Sequence, residues 1–248
     1  PCGSGCGILT VMTSTARAHP PVHYRIEIAN AHAHLFRVTL IIAKPKARQV
    51  LSLPVWIAGS YMVREFSKHL QNLAAEQGDA IEVKQLDKHR WQLGCQSGVP
   101  VQVSYEVYAF DTSVRTAFLD AERAFFNPSS LCLAVQGQEE RPQHLELIAT
   151  KKVAAHAVFT GARVLKASKT GWGLYECANY EALADTPFEI SSGWAGSFKE
   201  RGVKHRLVVS GAAHSLDGAR LLADTHKIVQ AEMQFWHGAK AKPPFDDY

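Results

Sequence analysis

Tyr24-Arg25-Ile26-Glu27-Ile28 alternates apolar with charged side chains, and that period of two decides the fold. In an extended chain successive side chains point to opposite faces, so Tyr24, Ile26 and Ile28 share one face and Arg25 and Glu27 the other, as in a strand half-buried on a core. Working outward, residues 35–42 and 49–56 read as further strands, with Pro45 ending a hairpin arm between them. Ala74, Ala75 and Glu76 favour helix, but the regular strand spacing on both sides assigns residues 70–76 to a sheet. Residues 81–86, 89–93 and 101–110 continue the series, punctuated by Gly78-Asp79 and by the turn material of residues 94–100. Residues 111–130 break the rhythm with Arg115, Asp120, Glu122 and Arg123 around a few aromatics, and read as a long loop or hairpin flap. Strands resume over residues 131–135, 145–148, 157–159, 173–177, 188–191, 196–199 and 205–210. Short strands at this spacing predict an all-β, antiparallel β-sandwich.

After Gly211 the period changes. Leu222, Val229, Met233 and Trp236 recur at helical spacing, with Leu221, Ile228 and Phe235 widening the stripe. Ser215 or Asp217 can cap the start and Gly238 the end. Each large side chain of such a stripe is worth about 1.5 to 3 kcal/mol when fully buried, so a helix this apolar calls for more partner than one sheet edge supplies. The helix and the Pro-Pro-Phe-Asp-Asp-Tyr tail therefore read as the opening of a further domain, interrupted at Tyr248. The domain plan is a flexible leader over residues 1–22, a sandwich over 23–212, and the start of a second domain over 213–248.

Composition limits the function classes. The chain has 248 residues, 46% hydrophobic and 20% charged, enough to bury a sizeable core. Its net charge of +4 is spread out, with basic residues close together only in short groups such as Lys240 to Lys242, so no nucleic-acid stripe is visible. No run of 18 apolar residues offers a membrane span, and no basic stretch followed by an apolar one marks a secretory signal. Five cysteines, at positions 2, 6, 95, 132 and 177, are an odd and dispersed set that points to reduced thiols and a cytoplasmic protein. Cys2 and Cys6 form half of a metal pattern with no second pair at the required distance.

Three segments resemble a known family. Pro54-Val55-Trp56-Ile57-Ala58-Gly59-Ser60-Tyr61-Met62-Val63-Arg64-Glu65-Phe66 is similar to a W-x-P-G-S-Y-x-x-R-[ED]-[FY] run, with Ala58 in the proline position. Ala124-Phe125-Phe126-Asn127-Pro128-Ser129-Ser130-Leu131 is similar to F-F-N-G-[ST]-[SA]-L, with Pro128 for the glycine. Tyr180, Leu183, Asp185, Pro187, Glu189 and Ile190 fit Y-x-x-L-x-D-x-P-x-E-[IL], where Asp185-Thr186-Pro187 stops what precedes it and starts an extended segment at Phe188. All three patterns are those of the N-terminal β-domain of the glycyl aminopeptidase family of zinc metallopeptidases, relatives of aminopeptidase N, which the chain thus resembles across residues 22–248. The resemblance implies that the helix begins a truncated, thermolysin-like catalytic domain, that the domain adjoining this chain holds zinc through an H-E-x-x-H helix, and that the full protein hydrolyses peptides. Its motif residues here, Trp56, Gly59, Ser60, Tyr61, Arg64, Tyr180, Asp185 and Pro187, carry structural roles.

No catalytic residue and no metal ligand is assigned within the chain. Its twelve histidines include no pair at i, i+4 around a glutamate, the spacing that puts two imidazoles on one helix face. His32 and His34 would share a face on a strand but lack two further ligands, and read as exposed turn residues. Ser60 lacks the flanking glycines of a nucleophile elbow. Asn127, Ser129 and Ser130 are the candidates for contact with a peptide substrate, because related aminopeptidases draw a polar residue from this domain into the pocket for the substrate's amino end. Trp56, Trp91, Trp172 and Trp194 read as packing residues. The expected partners are the adjoining catalytic domain and a peptide, with no nucleic acid and no membrane. A second reading, from a different class, is a stand-alone β-sandwich that binds a protein or peptide through the helix stripe.

Overall fold

A computed structural model describes residues 20–150, 153–212, 214–238, 243–245 and 247–248. Cys2, Cys6, Lys240, Lys242 and residues 1–19 of the expected leader lie outside the described residues, and Val22 already belongs to the first strand. In chain order the strands of the first half are β1 (Val22–Asn30), β2 (Leu35–Ile42), β3 (Arg48–Ser52), β4 (Leu70–Gln77), β5 (Asp79–Ala80), β6 (Val83–Gln85), β7 (Arg90–Gly94) and β8 (Val101–Tyr108). The second half holds β9 (Ala117–Leu119), β10 (Arg123–Phe126), β11 (Ala134–Val135), β12 (Gln143–Ile148), β13 (Ala157–Thr160), β14 (Arg163–Ala167) and β15 (Gly173–Cys177). After these come α1 (Tyr180–Ala184), β16 (Phe188–Ser191), β17 (Trp194–Glu200), β18 (Val203–Val209) and α2 (Gly218–His237).

One layer is an eight-stranded sheet ordered β14-β15-β12-β1-β2-β8-β4-β5. Its pairs are antiparallel except β1 with β12, which run parallel from Val22↔Gln143 to Glu27↔Ile148. Two four-stranded sheets, β13-β16-β10-β9 and β11-β3-β7-β6, supply the facing layer. The alternation read from the sequence places Tyr24, Ile26, Phe36, Val38, Leu40, Val103 and Tyr105 inward, each no more than 1% exposed. Rings cross the layers: Phe36 meets Phe126 edge-on at 5.4 Å and Tyr175 meets Phe188 edge-on at 5.4 Å, while Phe126 and Phe188 stack at 5.2 Å as paired neighbours within the facing sheet. The outward faces carry ion pairs instead, such as Arg37 with Glu27 and Glu106. The expectation of β structure over residues 70–76 holds in β4.

Several local expectations change. Residues 131–135 were expected as a strand, yet only Ala134 and Val135 pair, because the carbonyls before them go to side chains. Tyr105 Oη donates to Leu131 O (2.7 Å), Tyr180 Oη to Cys132 O (2.7 Å) and Tyr24 Oη to Leu133 O (2.9 Å). Three phenols from β8, α1 and β1 thus replace a ladder. Burial raises the pKa of all three hydroxyls well above the ordinary tyrosine value, so they remain protonated donors. Strand β3 ends at Ser52 rather than reaching Trp56. Within residues 111–130, β9 and β10 form a hairpin whose second arm pairs with β16, and β14 and α1 are elements the sequence pattern did not show.

Beyond β16 the chain leaves the sandwich. β17 and β18 form a separate two-stranded ribbon, and α2 packs on β17. Asp217 caps the helix by accepting from Arg220 N (2.9 Å), and Gly238 ends it. Gly218 allows the first turn to lie directly on the Trp194 indole, where a Cβ would collide with the ring. Further along, Glu200 accepts from His226 Nε2 (2.7 Å) and Gln230 Nε2 (3.1 Å), bonds that hold its carboxyl below the usual carboxylate range. Of the stripe, only Met233 is buried, while Ile228 (62%), Phe235 (76%) and Trp236 (70%) face outward.

Candidate functional site

The first motif segment folds into a closed turn. Arg64 N donates to Val55 O (2.7 Å) across its base, and Ser60 N donates to Ile57 O (3.1 Å) inside it. Gly59 takes φ +75°, a left-handed conformation that a side chain would strain. The Ser60 hydroxyl, on a residue only 6% exposed, is the hub: it donates to Met62 O (3.0 Å) and accepts from Arg64 Nε (3.0 Å). These bonds close the turn around Ala58, the position where the resemblance calls for proline. Glu65, next in the chain, pairs with Lys88 at 3.0 Å. Tyr61, Met62 and Val63 stand fully or mostly in solvent.

Trp56 corrects the expectation that it packs in the core. It is 55% exposed, and its indole N–H donates to Ser60 O (2.7 Å), which fixes the ring on the surface of its own turn. Trp91 and Trp172 are buried as expected, and Trp194 is half-buried against α2.

The second and third segments are joined through the tyrosine contacts. Asn127 closes β10: its N donates to Thr116 O (3.2 Å), and its side-chain amide donates to Val114 O. Its carbonyl accepts from both Ser130 N (2.9 Å) and Ser130 Oγ (2.8 Å), so Pro128–Ser130 wind into a single 3-10 turn. Ser129 (1% exposed) and Ser130 (4%) lie beneath the surface, and of the three polar candidates Asn127 alone lines the groove that the segments enclose. Asn179 Oδ1 caps α1 by accepting from Ala182 N (2.8 Å). Tyr180, 8% exposed, reaches from this helix to Cys132 O, two residues beyond Ser130. Asp185 is the C-cap of α1, and Pro187 is exposed ahead of β16.

A groove of about 540 Å³ is what these pieces enclose. Trp56 and Gly59 come from the first segment, Asn127 from the second, and Tyr180 and Asp185 from the third, although as many as 129 positions separate them. Glu139, Glu140 and Glu181 join the rim, with Val114 and Arg115 opposite in sequence from the flap. The sequence reading missed these acidic neighbours. The only signal was a like-charged pair in a turn, Glu139-Glu140, which by itself names no site. The arrangement offers an aromatic surface, a polar amide and carboxylates, and no nucleophile beside a base.

Comparison with known sequences decides the lineage. The pattern of the Peptidase M61 N-terminal domain matches residues 23–192. The chain belongs to that family. All three motif segments fall within the matched range, in agreement with the resemblance they carry. A solved aminopeptidase N family protein from Idiomarina loihiensis is 42% identical to this M61-type chain, with a TM-score of 0.85, covering 92% of it. The M61-type chain spans 38% of that protein's length. A two-domain M1 zinc metallopeptidase variant bound to L-arginine shares the fold alone, at 9% identity and a TM-score of 0.51, covering 93% of this chain and 55% of its own. No curated protein matches the sequence.

The remaining sequence candidates do not assemble into a centre. His32 and His34 occupy the turn between β1 and β2 rather than a strand, and His34 bonds Leu119 O through Nδ1 (2.6 Å) while lying 4.0 Å from the Phe110 ring. Among the described residues no three His, Cys, Asp or Glu side chains gather in a way that could hold a metal ion. The zinc implied by the family therefore has no fitting donor set in the described part of this chain. Cys95, Cys132 and Cys177 are free thiols, with Cys132 pushed well up in pKa by burial.

Proposed function

We propose that this chain is the non-catalytic N-terminal portion of a zinc-dependent aminopeptidase, and that its Trp56–Asn127–Tyr180 groove forms one wall of the peptide cleft. In this reading residues 23–212 are the β-domain and residues 213–248 open a thermolysin-like catalytic domain of the same polypeptide. Peptide-bond hydrolysis and the zinc ion belong to that second domain. Its chemistry would be a metal-activated water attacking the scissile carbonyl, and no step of it passes through residues of this chain. The observation that carries the reading is that each of the three family segments, besides anchoring residues such as Phe66, Phe126 and Ile190 in the core, lends residues to one open groove. The bare outer face of α2 supports it, since Ile228, Phe235 and Trp236 leave an apolar surface that an adjoining domain would cover. The free thiols suit a cytoplasmic, reducing setting.

Asn127→Ala in the full-length enzyme tests the wall. Its amide ties the groove's floor to Val114, and its loss is expected to raise KM for dipeptides and tripeptides several-fold with a smaller effect on kcat. Unchanged kinetics for both lengths would remove the groove from the cleft. The alternative, a stand-alone sandwich that captures a partner on α2, rests on the same exposed stripe. It requires that the coding sequence after Tyr248 contain no H-E-x-x-H helix.

A further inference from the structure

We infer that the groove selects peptides bearing a basic side chain, and that Trp56, Glu181 and Asp185 are the residues that recognise it. This deepens the reading of the groove as a peptide wall and rests on it. The first observation is the indole. Trp56 is 55% exposed on the lining, and its N–H is already taken by Ser60 O, so what it offers a ligand is the π surface. A tryptophan face is the strongest aromatic acceptor for a lysine or arginine head group within about 6 Å. Its position is set by the closed turn, so little conformational freedom is lost when a ligand settles on it.

The second observation is charge complementarity. Four carboxylates border the groove, Glu139, Glu140, Glu181 and Asp185, against the single guanidinium of Arg115. None of the four forms an ion pair among the described residues, so the groove carries its negative charge unneutralised by a bonded cation. Glu139 accepts from Gly137 N, and among the described residues no protein donor reaches the side chains of Glu140, Glu181 and Asp185. Glu181 and Asp185 sit four residues apart, at the start and the C-cap of α1, and so lie on one side of that short helix. A concave surface whose acids have no internal counter-charge, beside a fixed indole, matches a cationic side chain and repels an acidic one.

The test uses the 248-residue chain and three end-blocked tripeptides, acetyl-Ala-Lys-Ala-amide and its glutamate and alanine counterparts, so that no free α-amine contributes. The five indole N–H resonances are followed by NMR, with Trp56 assigned from Trp56→Phe. The lysine peptide is expected to shift the Trp56 signal saturably, with the glutamate and alanine peptides at least about tenfold weaker. Adding salt is expected to weaken the lysine peptide, and Glu181→Gln with Asp185→Asn to weaken it about tenfold at unchanged far-UV circular dichroism. Equal binding of the alanine and lysine peptides at Trp56 would overturn the charge selectivity and leave the peptide wall standing. Absence of any shift with all three peptides would remove both. Lysine-peptide binding unaffected by Trp56→Ala and by the double variant would place recognition elsewhere and overturn the inference.

Discussion

Phe126 and Phe235 are the same side chain in two settings. Phe126 is 0% exposed, stacked on Phe188 and edge-on to Phe36 where the two layers meet. Phe235 is 76% exposed on α2, its ring edge-on to that of its neighbour Trp236 at 4.9 Å. The sandwich is closed on itself, down to carbonyls satisfied one by one by buried phenols. The ribbon and helix are closed on one side only, through Trp194, Met233 and the Glu200 bonds. The sandwich buries a continuous inner face, while α2 leaves Ile228, Phe235 and Trp236 bare, the surface that the proposed adjoining domain would cover.

Truncating the two phenylalanines sharpens the contrast most. Phe126→Ala is expected to cost about 3–5 kcal/mol, and Phe235→Ala less than about 0.5 kcal/mol, in urea denaturation of the chain. Comparable losses would mean that α2 buries its face in solution. Tyr180→Phe comes next, at about 1–3 kcal/mol, because Cys132 O keeps its burial and loses its donor. The same variant is expected to move the Asn127 backbone resonance through the 3-10 turn; an undisturbed Asn127 would break the link between the third segment and the groove. Asp217→Ala removes the α2 cap at about 1 kcal/mol, read as faster amide exchange confined to the helix and ribbon. Exchange that rose equally in β1 and β2 would show the two regions to be one cooperative unit.

The smallest effect is set by pH. His205 on β18 is 3% exposed, its ring stacked on Phe198 at 5.0 Å with no hydrogen-bond partner among the described residues, and burial holds its pKa below the ordinary value. The folded state therefore resists the proton that the unfolded chain accepts near pH 6.5, so this contribution is present above that pH and is lost as the pH falls below it. His205→Phe keeps the stack and is expected to reduce the drop in melting temperature between pH 7.5 and pH 5. An identical drop in both proteins would assign the sensitivity to other groups, such as His23 and His69, whose pKa values burial also lowers.

Most of the architecture was legible because it rests on period. Tyr24-Arg25-Ile26-Glu27-Ile28 alternates for the same reason that β1 buries one face, and Asp217 and Gly238 mark α2 through short-range bonds to its own ends. Where side chains override the backbone ladder the pattern fell silent. Nothing local in Leu131-Cys132-Leu133 shows that three tyrosines as many as 109 positions away will take its carbonyls. Trp56 misled for a related reason: its ring is held out by a bond to Ser60 O, four residues on, and not by apolar contacts. The groove was half legible, since its motif residues stood in the sequence while Glu139, Glu140 and Glu181 join them only through the fold.

The most direct measurement is hydrolysis of an alanyl reporter by the purified 248-residue chain with zinc added, beside the full-length protein. The account predicts zinc-dependent turnover by the full-length protein and none above buffer by the chain alone. Saturable, zinc-dependent turnover by the chain alone would contradict it.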